Sequence, residues 1–213
     1  MNTTNVTGGP VVSLPTAFGQ FATQAWTDEL TGVEHLSLSS HGVSGGQDAG
    51  NEAPLVRMHS ECLTGDVFSS FRCDCGEQLE QALHLVAEQG GTVLYLRGQE
   101  GRGIGLANKM RAYALQEAGA DTVEANEQLG LPVDARDYQA AAAILQQLGL
   151  GAIRLLSNNL EKRDKLLLHG IEITAMVPSE VPARAENQRY LMTKRDRLNH
   201  QLPLLADHEL HQS

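Results

Sequence analysis

Apolar residues alternate with polar ones in the first third of the chain, then recur at helical spacing. Residues 18–26 and 33–39 show partial alternation and 54–59 continue it, which predicts three strands. Residues 44–50, rich in glycine, are predicted as a turn between them. From Glu77 the period changes: Leu79, Leu83 and Val86 predict a helix over 77–89 that stops at Gly90 and Gly91. A strand at 92–97, a glycine-rich loop and a helix at 104–118 follow. Beyond them the pattern predicts a helix at 137–148, a strand at 153–156, a helix at 160–169 and a strand at 171–176. Strands alternating with helices predict an α/β (α+β) fold, a mixed sheet with flanking helices and a β-rich N-terminal part. Residues 1–10 and 201–213 read as tails around one domain at 11–200.

Composition narrows the function classes. At 213 residues the chain can bury one substantial core. Its net charge of −10 gives no chain-wide case for nucleic acid, so a local cluster of arginine and lysine is informative. No apolar run reaches the length of a membrane span and no export signal opens the chain, which predicts a cytoplasmic protein without membrane partners.

Cys62, Cys73 and Cys75 are the only cysteines, and they fall in one short stretch spaced C-x10-C-x-C. Three soft thiolates suit Zn²⁺, and a three-ligand site leaves a position for water. The spacing leaves open whether His59 or Asp74 closes that position, and buried cysteines also serve as plain packing. A second cluster, residues 97–105, carries glycines at 98, 101, 103 and 105 together with the charges of Arg97 and Arg102. Following a strand and opening a helix, its amides are placed to receive an anion. Asp134, Arg136 and Asp137 precede the alanine-rich helix, where Asp134 can serve as an N-cap. Ser157, Asn158 and Asn159 sit between a strand and a helix, a position that suits ligand contacts and ordinary loops alike. His59, His84, His169 and His200 show no metal spacing.

Taken together, residues 57–78, 97–116, 121–131 with 134–138, and 154–162 resemble the ordered signatures of GTP cyclohydrolase II. No second catalytic domain is legible ahead of the first signature, so the resemblance is to the monofunctional form. It implies conversion of GTP to a diaminopyrimidinone ribosyl phosphate with release of formate and pyrophosphate, the committed step of riboflavin synthesis. It also implies one Zn²⁺ per subunit on Cys62, Cys73 and Cys75, whose water attacks guanine C8, together with Mg²⁺ for the triphosphate and a homodimer. By the same resemblance GTP is bound by Arg57, Met58, His59, Ser60, Glu61, Gln78, Glu100, Gly101, Arg102, Thr122, Ser157 and Lys162. Glu61 or Glu100 would read the guanine edge. Asp134 and Arg136 match a proton acceptor and a nucleophile, and Tyr113 a tyrosine linked to ring opening. A guanidinium is almost never neutral, so an electrostatic role for Arg136 at the α-phosphate is the alternative.

Overall fold

The computed structural model describes residues 5–40, 52–198, 200–202 and 205; the turn predicted at 44–50 lies outside them. Strand β5 (Leu55–Ser60) runs through the middle of a mixed sheet, and its first five residues are buried. Burial on both faces is why Leu55, Val56 and Met58 crowd together with little alternation. Two parallel neighbours flank it, β6 (Gly91–Leu96) and β7 (Ala152–Leu156), with β8 (Glu172–Val177) parallel to β7. On the other side of β6 the sheet becomes antiparallel through β4 (Glu34–Ser40) and β3 (Gly19–Asp28). Beyond β3 lie β1 (Val6–Gly8) and β2 (Val12–Thr16).

Helices cover both faces, as buried parallel strands require. Helix α2 (Cys75–Gln89) sets Ala82 and Val86 against Phe21, Leu55 and Val93. Below the sheet, α6 (Gln139–Gln147) and α7 (Leu160–Leu168) bring Ile144, Leu145 and Leu166 onto Val56, Met58 and Leu155. Each such fully buried side chain contributes roughly 1.5–3 kcal/mol of transfer free energy. The remaining helices are α1 (Leu63–Asp66), α3 (Glu100–Gly103), α4 (Leu106–Glu117), α5 (Thr122–Gln128) and α8 (Gln188–Leu198).

The structure extends the sequence reading at both ends. Part of the predicted N-terminal tail is strand β1, because Val6 is buried beside Trp26 in the core. Leu202 and Leu205, inside the predicted C-terminal tail, pack on Leu191 of α8. Neither α5 nor α8 is among the predicted elements.

Candidate active site

From β5 the chain crosses to β6, then returns past β5 to reach β7. A crevice at such a reversal lies beyond the carboxyl ends of the strands, the usual ligand position in open α/β sheets. Here a cleft with about 1110 Å³ of empty space, open to solvent, sits where β5, β6 and β7 end. Its walls include Ser60 and Glu61 after β5, Gln99 and Arg102 after β6, and Ser157 to Asn159 after β7.

The sulfur cluster forms one end of this cleft. The three Sγ atoms lie within 4.8 Å of one another, and those of Cys62 and Cys73 are 3.7 Å apart. Tetrahedral zinc with bonds of about 2.3 Å places its sulfurs about 3.8 Å apart, so the donor set fits. Neither His59 nor Asp74 joins it. His59 Nε2 meets Asp66 Oδ1 at 2.9 Å, and Asp74 pairs with Lys194 at 2.7 Å. Asp66 also accepts from the Cys62 amide and from the Tyr95 hydroxyl, and so pins the first cysteine's loop to the sheet. Hydrogen bonds from its two sister thiols, together with the Lys109 charge, hold the Cys62 thiol far below its usual value. The bond to Cys62 in turn pushes Cys73 up to about 11, and bonds to Cys62 and Cys73 raise Cys75 as well.

Close backbone contact lets the cysteines converge. A Cβ on Gly76 would stand 2.4 Å from the Gly65 carbonyl oxygen, and one on Gly65 would stand 3.0 Å from Cys73 Sγ. In an ordinary helix, alanine stabilises relative to glycine by about 1 kcal/mol. At Gly76 the collision is with backbone that cannot swing aside, so the sign reverses. Gly76→Ala should destabilise the fold by about 1–3 kcal/mol, read as a lowered midpoint in urea unfolding. An unchanged or raised midpoint would show that this contact is loose.

The glycine-rich loop works differently from its sequence expectation. The amides of Gly98, Gly101, Gly103 and Gly105 are taken by Glu61, Glu100, the Gln99 carbonyl and the Glu100 carbonyl. They are therefore spent inside the protein instead of facing an anion. What the loop supplies is shape: Gly101 and Arg102 both adopt left-handed backbone, at φ 60 and 63. For arginine that conformation costs roughly 1–2 kcal/mol, and the Arg102 carbonyl is held in place by the Ala135 amide at 3.0 Å.

Seven of the chain's 16 lysines and arginines line the cleft: Arg57, Arg72, Arg102, Lys109, Arg136, Lys162 and Lys194. Glu61 is the one carboxylate among the lining residues. The carboxylates that balance three of these cations stand behind them. Glu100 meets Lys109 at 2.6 Å, Asp74 meets Lys194, and Asp134 grips Arg136 through both oxygens. Burial opposes the Arg136 charge, but Asp134 more than offsets it and holds the guanidinium above its usual range. The same pairing outweighs burial at Asp134 and lowers its carboxyl. Asp137, not Asp134, bonds the first amide of α6. Lys162 donates to the Met58 carbonyl at 2.8 Å, and burial with the nearby Arg57, Arg136 and Lys194 charges depresses its ammonium strongly. Arg57 donates to the Leu156 carbonyl, Ser179 and Gln78, with its Nε buried and unpartnered among the described residues.

Fifteen of the eighteen residues implicated by sequence line this cleft, including Tyr113, Thr122, Ser157 and Gln78. Tyr113 lies beneath the Arg72 guanidinium at 4.3 Å, and burial raises its phenol. Three residues do not line it. Met58 turns its side chain into the core because period 2 puts it opposite Arg57 and His59. Glu100 is buried, with its oxygens on Leu63 N, Gly101 N and Lys109, so of the two glutamates Glu61 is the one on the wall. Asp134 acts from behind Arg136. Asn126, Tyr190, Lys194 and His200 also line the cleft, and no sequence motif marks them as site residues. For α5, which carries Thr122 and Asn126, the capping box of Asp121 and Glu124 was a readable signal.

Fold and site together define a mixed α/β protein in which a cluster of soft-metal ligands opens onto a cationic cleft. Residues 10–178 match the GTP cyclohydrolase II family, and the chain belongs to it. It is 52% identical over 201 residues to riboflavin biosynthesis protein RibBA of Rhodococcus erythropolis, covering 94% of this chain and 47% of that protein. The RibBA protein of Mycobacteroides abscessus is 54% identical over 196 residues, covering 92% and 47%. That of Mycobacterium tuberculosis is 56% identical over 195 residues, covering 91% and 46%. The chain thus spans about half the length of the curated relatives it matches. Among the described residues no helix is long and apolar enough to cross a membrane.

Proposed function

We propose that this chain hydrolyses GTP, opening the guanine imidazole ring and releasing formate and pyrophosphate, as a cytoplasmic step of riboflavin synthesis. The observation that carries the reading is the juxtaposition of the three-thiol cluster with the seven-cation cleft in a member of this family. Cys62, Cys73 and Cys75 would hold Zn²⁺, which when bound supplies Lewis acidity and lowers the pKa of water toward neutrality. Mg²⁺ would accompany the triphosphate.

The chain's own residues divide the remaining work. Glu61, anchored by the Gly98 amide at 2.7 Å, is placed to accept from the guanine N1–H and 2-amino group. Lys109 bridges Cys62 Sγ at 3.2 Å and Glu100, and so places a positive charge beside a ligand thiolate. Arg57, Arg102 and Lys162 would bind the polyphosphate, whose charge would offset the repulsion between Arg57 and Lys162; at 4 Å one opposite charge is worth about 4 kcal/mol near a protein surface. Tyr113, lining the cleft beneath Arg72, would hold or return a proton at the opening ring.

Arg136 is best read as a fixed cation at the α-phosphate while pyrophosphate leaves. A nucleophilic arginine must first lose its proton, which near neutral pH costs about 7 kcal/mol for a pKa above about 12. Its contact with Asp134 raises that cost further.

The deciding assay incubates the full chain, loaded with zinc, with GTP and Mg²⁺ and follows formate, pyrophosphate and pyrimidine absorbance. Equal release of both products is expected. Pyrophosphate without formate, or neither with zinc bound, would refute the reading.

A further inference from the structure

The family match ends at residue 178, yet the chain beyond it supplies three cleft-lining side chains, Tyr190, Lys194 and His200. Tyr190 and Lys194 stand one turn apart on α8, on a shared face. The chain then turns back: the His200 amide bonds the Lys194 carbonyl at 3.1 Å, and His200 forms a strand-like bridge with Asn159. The next amide, that of Gln201, bonds the Asn158 carbonyl at 3.0 Å. This stitches the end of α8 to the loop after β7, which forms the opposite part of the same cleft. At its other edge the ion pair of Lys194 with Asp74 ties α8 to the residue between Cys73 and Cys75.

Of the cations that meet there, Lys194 is already paired with Asp74 and Arg136 with Asp134. Arg102 lies 5.9 Å over the Tyr190 ring, and its Nη2 is buried without a hydrogen-bond partner among the described residues. Burial and the charges of Lys194, Arg102, Lys162 and Arg136 press the His200 imidazole down to about 2, so it is held neutral. With Lys194 and Arg136 already paired and the Lys162 ammonium depressed by burial, Arg102 is the cation whose buried Nη2 a polyanion would satisfy. We propose that Tyr190, Lys194 and His200 form a substrate-binding wall, with His200 and Arg102 contacting the terminal phosphates of a nucleoside triphosphate. The proposal rests on the nucleotide reading above and deepens it.

The test uses the full chain loaded with zinc, with inorganic tripolyphosphate and GMP as separate probes. His200→Ala should weaken tripolyphosphate binding about tenfold, the loss of one charge-assisted hydrogen bond, and leave GMP binding and zinc content unchanged. His200→Gln, which keeps a donor of similar reach, should recover most of that affinity. Tripolyphosphate should also slow tryptic cleavage after Arg189, Arg195 and Arg197 of the unaltered protein. If tripolyphosphate fails to bind, if both probes weaken equally in His200→Ala, or if cleavage is indifferent to it, the wall serves only the fold. Because formate is not measured, these results stand apart from the assay of the reaction.

Discussion

Cys73→Ser protein should purify folded, carry less than a tenth of an equivalent of zinc after dialysis, and release formate at under one-hundredth of the unaltered rate. A hydroxyl is a harder and far less acidic donor than a thiol, so the soft cation loses one of three protein ligands. Zinc bound by four ligands in small structural sites is worth about 10–16 kcal/mol, so one ligand carries roughly 3–4 kcal/mol, or two to three orders of magnitude in affinity. The fold should survive because Cys73 belongs to none of the apolar clusters and lines the cleft. The thermal midpoint should move by no more than about 4 °C, which is what 1 kcal/mol amounts to at this size. Metal content by mass spectrometry, circular dichroism and formate release are the three readouts. A variant that kept a full equivalent of zinc and the unaltered rate would show that the sulfur cluster is not the metal centre.

Replacing Arg136 should be the most damaging change outside the sulfurs. Arg136→Gln removes a charge that is half-buried, gripped by Asp134 and bonded to Ser60 at 3.2 Å. It also leaves the Asp134 carboxylate unpaired beside the cleft. Loss of one preorganised group aimed at developing charge typically costs 10²–10³ in kcat, and pyrophosphate release should fall by that factor. Arg136→Lys keeps the charge but loses the two-pronged grip, so it should retain a measurable part of the rate. Intact-protein mass spectrometry of the working enzyme separates the two roles. An electrostatic Arg136 leaves the protein mass unchanged during turnover, whereas a guanylyl adduct on Arg136 would establish it as the nucleophile.

How much of this was legible beforehand follows from the range over which each interaction acts. The change from alternation to helical spacing marked β3 to β8 and helices α2, α4, α6 and α7, because burial of one face is written locally. Helix α8 escaped because six of its eleven residues are strongly polar or charged and its apolar side is narrow, with Leu191 meeting Leu202 only across a turn of the chain. The glycine-rich loop was recognisable, but the destination of its amides was not. Gly98 bonds a carboxylate 37 residues earlier, a distance no local pattern encodes. Likewise Asp134 looked like a helix cap, and only the folded loop assigns that work to Asp137 and frees Asp134 for Arg136.

The sequence by itself determined the chemistry available: three thiols close in the chain, a strand-to-helix glycine loop, and a store of arginine and lysine in an acidic protein. Residue types fix softness, charge and donor capacity, and these travel with the side chain wherever it is placed. Tertiary structure alone decided which groups face the cleft. It turned Met58 and Glu100 away, set carboxylates behind cations, and carried Lys194 across 120 residues of chain to Asp74. Those outcomes depend on which buried charges find partners, and in a folded chain such partners are neighbours in space, not in sequence.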